Sequence, residues 1–185
     1  VSDDDGASWQ PSHLIDLGGN GHHGGVTEAT VEELRDGTVL LLIRTNWGQF
    51  WRGLSHDGGL SWHDLQPSGI SASSAPGLLK RLASGRMILL WNQRLPEGAT
   101  SYPLRGGDGL WSEVPVSNHR DELSLAWYDE TTHTISPPVI IARQSASNIS
   151  YPRLLERRPG ELWLSQLWLG SSPRLCLRLL EQDFV

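Results

Sequence analysis

An eight-residue pattern occurs twice in this chain and constrains its fold more than any other feature. The pattern S-x-D-x-G-x-x-W begins at Ser2 and again at Ser55, 53 residues later. In such an octet the Ser and Asp side chains can bond backbone N–H groups of their own turn, while Gly takes a positive φ. The Trp side chain folds back as an apolar plug. We therefore expect two β-hairpin turns with a structural role, formed by Ser2, Asp4, Gly6, Trp9, Ser55, Asp57, Gly59 and Trp62.

A second repeat predicts antiparallel strands. Three segments read as strand, two-residue turn, strand, with turns at Asp36-Gly37, Ser84-Gly85 and Pro159-Gly160. The strand after each of the first two turns is an apolar run, at 39–43 and 87–91. Such runs are typical of strands that are buried on both faces. Repeats at this spacing predict an all-β fold made of propeller blades.

The two repeats divide the chain into about three blades. The map contains a blade remnant at 1–17 with an outer strand at 11–16, a blade at 28–66, a second blade at 75–143 with a long insertion at 94–119, and an incomplete blade at 151–185. Closed propellers have about four to eight blades. Three blades therefore leave two broad blade faces to be covered by other chain segments or by another subunit.

Composition excludes several classes of function. The net charge is −6 and no basic stripe is present, which argues against a nucleic-acid partner. No apolar run approaches the roughly 18 residues of a membrane span, so no membrane association is expected. The adjacent His22 and His23 in a Gly-rich loop have no second ligand pair at useful spacing, so we predict no metal and no cofactor.

Candidate site residues emerge when the three hairpins are aligned on their turn glycines. Nine residues before Gly37 and Gly160 stand Glu28 and Tyr151, and seven residues after Gly37 and Gly85 stand Arg44 and Asn92. With a two-residue turn, Glu28 faces Thr45. Innermost strands of all blades run with one polarity, so Glu28, Arg44, Asn92 and Tyr151 are expected at one end of the central channel. Simpler interpretations stay open: an ion pair that closes a hairpin, a packed core tyrosine, and a solvated loop charge at Arg120.

Several stretches of the sequence resemble bacterial proteins of the sialidase superfamily with BNR, or Asp-box, repeats. The resemblance covers nearly the whole chain and concerns the C-terminal half of those proteins. The stretches are Gly18 through Glu28 to Asn46, Ser68 through Asn92, Ser112 to Arg120, and Ser150 through Trp163. The resemblance implies a six-bladed β-propeller of sialidase type, of which this chain supplies about three blades.

The resemblance also implies roles for particular residues. In sialidases a Tyr is the nucleophile and a Glu is its base, because the substrate's anomeric carbon bears a carboxylate that would repel an anionic nucleophile. Three arginines hold that carboxylate with their forked donors. By resemblance, Tyr151 is the nucleophile, Glu28 its partner, Arg44 the second arginine and Arg120 the third. Asn92, His22 and His23 are further candidates for sugar contacts.

Two hypotheses follow. The first is a sialidase-like glycoside hydrolase, or its C-terminal half, that acts on acidic glycans. The family's first arginine and its acid/base Asp belong to earlier blades, so this chain alone is expected to be inactive. The second is a non-catalytic half-propeller that binds carbohydrate or assembles into a ring. In that case two copies form a homodimer, in which the strand at 11–16 of each copy completes the last blade of the other.

Overall fold

The fold consists of antiparallel sheets. The structure is a computed structural model, and it describes residues 1–145, 148–166 and 176–184. The first sheet is a four-stranded meander in the order β1-β2-β3-β4. Its strands are β1 (Val26–Glu33), β2 (Val39–Thr45), β3 (Gln49–Ser55) and β4 (His63–Ser71).

The second sheet contains a long excursion between its second and third strands. Strands β5 (Leu78–Arg81) and β6 (Met87–Trp91) are followed by a small separate hairpin, β7 (Leu104–Gly106) and β8 (Pro115–Ser117). The chain then returns to the sheet through β9 (Glu122–Asp129), β10 (Thr134–Ile135) and β11 (Val139–Arg143). The strand order is β5-β6-β9-β10, and β11 also pairs with β9.

The third sheet has three described strands. They are β12 (Pro152–Arg158), β13 (Glu161–Gln166) and β14 (Cys176–Leu180), in the order β12-β13-β14. A 3₁₀ turn at Glu181–Phe184 follows. The first strands of the sheets are neighbours, since β1 contacts β5 and β5 contacts β12. This arrangement around a common axis is that of consecutive propeller blades.

Strand β6 shows why the blades stack. All five of its residues are buried. Leu89 and Trp91 belong to the core between the first and second sheets. Ile88 and Leu90 belong to the core between the second and third sheets. Because successive side chains point to opposite faces, a strand between two neighbouring sheets must be apolar at every position.

The hairpin turns differ from expectation in one respect. The Leu34 N–H donates to the Thr38 carbonyl, so the first loop has three residues, 35–37, instead of two. Gly37 has a φ of 84°, as such a loop requires at its last position. The second hairpin has the same form, whereas the third keeps a two-residue turn between Arg158 and Glu161.

This longer loop changes the register of the first hairpin. Val26, not Glu28, is opposite Thr45, and Thr27 is opposite Arg44. The pairing is irregular between Thr27 and Thr30, where a bulge holds Glu28. The predicted pairing of Glu28 with Thr45 is therefore wrong. The turn glycine marks the position of the hairpin, but it reveals neither the extra loop residue nor the bulge.

Both octets form turns closed by their own side chains. Ser55 Oγ accepts the Gly59 N–H at 2.8 Å, and Asp57 accepts both the Ser61 N–H at 2.9 Å and the Ser61 hydroxyl. Ser2 and Asp4 make the equivalent bonds in the first octet. These donors hold the pKa of Asp57 well below its usual range and lower that of Asp4 to about 2.

The predicted outer strand at 11–16 is absent. These residues have no regular secondary structure, and they lie along the second octet instead. The His13 N–H donates to the Leu60 carbonyl at 2.9 Å, and the Trp62 indole N–H donates to Ser12 Oγ at 2.7 Å. Polar contacts to the second octet turn thus take the place of strand pairing in this segment.

No helix in the described ranges is both long and apolar enough to cross a membrane.

Candidate functional site

The structure brings three of the predicted residues into direct contact. The Tyr151 hydroxyl donates to Glu28, with its oxygen 3.0 Å from Oε1 and 3.3 Å from Oε2. Arg44 Nη1 forms an ion pair with Glu28 Oε2 and lies 3.5 Å from the Tyr151 oxygen. The residues come from β1, β2 and the start of the third sheet, so the contact depends on how the blades pack. A phenol bonded to a carboxylate is a hydroxyl with a base in place.

Both partners of this contact have strained backbones. Glu28 has a φ of 43° and Tyr151 a φ of 57°, values that non-glycine residues rarely adopt. Glu28 is in the bulge of β1, and Tyr151 immediately precedes Pro152, which restricts its backbone further. Each such conformation costs about 1–3 kcal/mol and persists where the surrounding structure enforces it. Strain of this kind is typical of active sites and ligand-binding sites, where side chains must be held in one orientation.

Two arginines are held beside the tyrosine by a serine in the connection between β4 and β5. Arg44 is 3% exposed, and its Nε and Nη2 donate to Ser74 Oγ at 3.3 and 3.0 Å. Arg120 Nη2 donates to the Ser74 carbonyl at 2.9 Å and Nη1 to Ser150 Oγ at 3.3 Å. The Arg120 guanidinium carbon also lies 5.6 Å from the centre of the Tyr151 ring. Ser74 thus connects the two cationic groups.

The electrostatics of the site favour an anion. Burial and the neighbouring Arg44 lower the pKa of Arg120 from its usual value, although a guanidinium stays charged at neutral pH. Arg120 Nε is buried and has no partner among the described residues. Arg44 is paired with the Glu28 carboxylate, whereas the charged Arg120 group donates to the uncharged oxygens of Ser74 and Ser150. A ligand carboxylate would compensate that charge and provide an acceptor for the arginines.

A cavity of about 570 Å³ opens beside these residues. This volume is within the range of about 300–1,000 Å³ that is usual for small-molecule sites. Its lining contains three arginines together with aromatic and amide side chains. The residues are His23, Arg44, Tyr102, Arg105, Trp111, Asn118, Arg120, Asp121, Asn148 and Tyr151.

The wall of the cavity is formed by the Gly-rich loop and the insertion, which bond to each other. The His22 and His23 N–H groups donate to the Leu110 and Trp111 carbonyls, both at 2.9 Å. A side chain at Gly21 would place its Cβ 2.9 Å from the Ser112 backbone nitrogen, so only glycine permits this approach. The His23 ring packs against Trp111 with centroids 5.1 Å apart. Burial and Arg44 lower the pKa of His23, which leaves its ring neutral at pH 7.

Three predicted site residues are not part of the cavity lining. Glu28 is one of them, although it contacts the lining residues Arg44 and Tyr151. The others are Asn92 and His22. Asn92 is 1% exposed, and its amide donates to the Glu122 and Ile149 carbonyls at 2.7 Å each. It therefore fixes the chain just before Tyr151. His22 is exposed beside His23 and does not line the cavity. Among the described residues, no group of three potential metal ligands occurs.

Sequence reasoning missed three residues that matter for the geometry. Ser74 carries no motif, and only the fold places its hydroxyl between two arginines. Arg105 and Trp111 lie in the insertion, where no repeat predicts a position. The length of the insertion was the one available signal, because long excursions in compact domains are usually functional.

The chain matches one protein-family model and is similar to several solved structures. Residues 1–164 match the family described as BNR repeat-like domain. A protein of unknown function from Dyadobacter fermentans is 18% identical with a TM-score of 0.63, over 95% of this chain and 42% of that one. NanB with optactamide is 19% identical with a TM-score of 0.63, over 98% of this chain and 27% of the other.

A point mutant of NanB sialidase from Streptococcus pneumoniae is 18% identical with a TM-score of 0.62, over 100% of this chain and 27% of that one. The chain thus spans less than half the length of these solved structures. No curated protein sequence matches it significantly. At these identities the likeness shows the fold, a sialidase-type propeller of which the chain supplies about three blades.

Proposed function

Because this chain belongs to the BNR repeat-like domain family, we propose that its cavity binds the terminal acidic sugar of a sialic-acid-type glycan, with Tyr151 as nucleophile and Glu28 as base. The observation that carries the proposal is the Tyr151 hydroxyl at 3.0 and 3.3 Å from the two Glu28 oxygens, beside Arg44. A tyrosine hydroxyl has no special reactivity unless a base is positioned to take its proton.

The two arginines define the ligand chemistry. Arg44 and Arg120 place two cationic groups next to the phenol, and the Arg120 donors Nη1 and Nη2 are bonded to uncharged oxygens. A sugar whose anomeric carbon carries a carboxylate would place that carboxylate on the arginines and its anomeric carbon near Tyr151. A neutral phenol can approach such a carbon, whereas a carboxylate nucleophile would be repelled by the substrate's own charge.

The reaction proceeds through a covalent intermediate in this proposal. The Tyr151 oxygen forms a bond to the anomeric carbon, Glu28 accepts the phenol proton, and the bond to the leaving oxygen breaks. That oxygen needs a proton from a general acid, which in sialidases is an Asp of an earlier blade outside this chain. The residues described here therefore supply the nucleophile, the base and two arginines that bind the substrate carboxylate. Complete hydrolysis requires the remaining blades.

A substrate with a fluoride leaving group tests this division of labour, because fluoride leaves without a proton. The chain is incubated with a sialosyl fluoride carrying a second fluorine at C3, which slows breakdown of the intermediate, and is analysed by intact-protein mass spectrometry and peptide mapping. We expect one sialosyl adduct, on Tyr151, that is lost in Tyr151→Phe and strongly reduced in Glu28→Gln. Tyr102→Phe is the matched control, because Tyr102 is the other tyrosine in the described lining of the same cavity. An adduct on another residue would rule out the assignment.

Binding without hydrolysis is the second candidate function. It is favoured by the ion pair between Arg44 and Glu28, which occupies the base in the unliganded chain. Under this alternative, acidic sugars bind and no adduct forms with the fluoride. Isothermal titration with N-acetylneuraminic acid, run beside the labelling experiment, distinguishes the two functions.

A further inference from the structure

The insertion contributes a cationic side chain to the cavity that has no role in the proposed reaction. Arg105 is on β7, near the middle of the insertion, and it lines the same cavity as Arg44 and Arg120. Trp111 and Tyr102, from the same insertion, line the cavity as well. This wall lies outside the strands that position Glu28 and Tyr151, so it is a separate structural unit with its own chemistry.

Arg105 differs from the other arginines of the cavity in its partners. Arg44 is paired with Glu28 and Ser74, and Arg120 with Ser74 and Ser150. The Arg105 side chain is exposed and makes no hydrogen bond or ion pair with any residue in the ranges that the structure describes. Its full set of guanidinium donors is therefore available to a ligand in the cavity.

The backbone that carries Arg105 is held in place. Asp108 Oδ1 accepts the N–H groups of Leu110 and Trp111 at 3.0 Å each, which closes the tip of the hairpin. The carbonyls of Leu110 and Trp111 accept N–H groups of the Gly-rich loop. Gly106, next to Arg105, has a φ of 75°, and a Cβ there would lie 2.8 Å from Ser112 Cβ. An ordered backbone reduces the entropy that a ligand contact must overcome.

The cavity has more cationic than anionic side chains, and the arginines are on separate segments of the chain. Arg44, Arg105 and Arg120 carry three positive charges, against the carboxylates of Glu28 and Asp121. The pKa of Tyr102 is raised by burial and by Asp121, and Arg105 acts on it in the opposite direction, so both charges lie near that phenol. One carboxylate on Arg44 and Arg120 would leave Arg105 still unpaired.

We infer that this cavity selects acidic glycans with two anionic groups, one carboxylate bound by Arg44 and Arg120 and a second anion bound by Arg105. The inference rests on the proposed function and extends it, because it assigns Arg105 as a specificity-determining residue. The second anion is a carboxylate of an adjacent acidic sugar or a sulfate substituent, both of which accept paired hydrogen bonds from a guanidinium. Trp111 and Tyr102 provide apolar faces on which a sugar ring can stack.

The test measures the affinity of the full chain for three probes by isothermal titration. The probes are 3′-sialyllactose with one carboxylate, α2,8-linked disialic acid with two, and 3′-sialyllactose sulfated on galactose. We expect the two dianionic probes, or one of them, to bind more tightly than the first, which also identifies the source of the second anion. Arg105→Ala should remove about tenfold in affinity for the preferred dianionic probe, and leave 3′-sialyllactose unchanged. Arg105→Lys should restore only part of the loss, because Lys lacks the fork of donors.

The matched control is Arg94→Ala, which removes an exposed arginine from the same insertion but not from the cavity lining. If Arg94→Ala weakens binding as much as Arg105→Ala, net charge alone explains the preference and the inference is overturned. Equal losses for one-anion and two-anion probes in Arg105→Ala would overturn it too. If the unmodified chain binds 3′-sialyllactose but gains nothing from a second anion, the specificity assignment fails while the proposed function stands. No binding of any probe would count against the proposed function itself.

Discussion

The ion pair at the centre of the site leads to a prediction about stability. Arg44 is 3% exposed, while the Glu28 side chain is 41% exposed. The substitution Glu28→Gln keeps the size of the side chain and one acceptor oxygen, and it removes the negative charge. Breaking a fully buried pair costs about 3–5 kcal/mol, because the remaining charge stays buried without a counterion. An exposed pair contributes about 0–1 kcal/mol. This half-exposed pair is intermediate, so we expect a loss of about 2 kcal/mol in the free energy of unfolding.

Urea and thermal denaturation measure this effect. For a domain of this size a loss of about 2 kcal/mol lowers Tm by about 4–8 °C. Sodium sulfate should stabilise Glu28→Gln more than the unmodified chain, because an anion can then occupy the position beside Arg44 and Arg120. Glu113→Gln, at an exposed glutamate of the insertion, is the control and should change Tm little. Stability equal to that of the unmodified chain, without a larger response to sulfate, would refute the reasoning that Glu28 neutralises a buried cation.

The remaining predictions concern the two octets and the assembly of the chain. Asp57→Asn should lower Tm more than Asp4→Asn, because Ser55 and its turn are part of the first sheet while the first octet is exposed. Thermal unfolding of both variants at pH 7 gives the order of the two Tm values, and the reverse order would contradict this prediction. The pKa values of both carboxyls are lowered, so their contribution to stability is present above about pH 4 and is lost as the pH falls through the lowered pKa. The difference in stability between Asp57→Asn and the unmodified chain should therefore shrink in acid. If two copies share one ring, the exposed Leu155 and Trp163 of the third sheet are covered, and light scattering at micromolar concentration should give twice 20.5 kDa, whereas a well-folded monomer would exclude the dimeric ring.

The sequence predicted the fold where local chemistry and tertiary structure agree. An octet closes its own turn through side chains a few residues apart, so its signal is complete within eight residues. The apolar run of β6 is equally local, because each residue faces one of two neighbouring sheets. The error at 11–16 has a different origin. A short segment of mixed polarity forms a strand only if a sheet edge receives it, and the sequence does not tell where such an edge is.

The candidate site shows the same division between local and distant information. The turn glycines locate Glu28 and Tyr151 at equal distances from two hairpins, which placed both near one end of the blades. The bulge that turns the Glu28 side chain toward Tyr151 is visible only in the paired strands. Ser74, which bonds to two arginines, and Arg105, in the insertion, depend on contacts between segments far apart in sequence. No periodic pattern carries that information.

The construction of the site from three blades has a consequence for its chemistry. Glu28 and Arg44 belong to the first sheet, Ser74 and Arg120 to the connections of the second, and Tyr151 to the start of the third. The distance between the Tyr151 hydroxyl and Glu28 is therefore fixed by the packing of β1 against β5 and of β5 against β12. Both residues have strained backbones, and the strain can be maintained only by rigid packing around them. The apolar cores on the two faces of β6 thus determine the geometry of the site, although they contribute no side chain to the cavity.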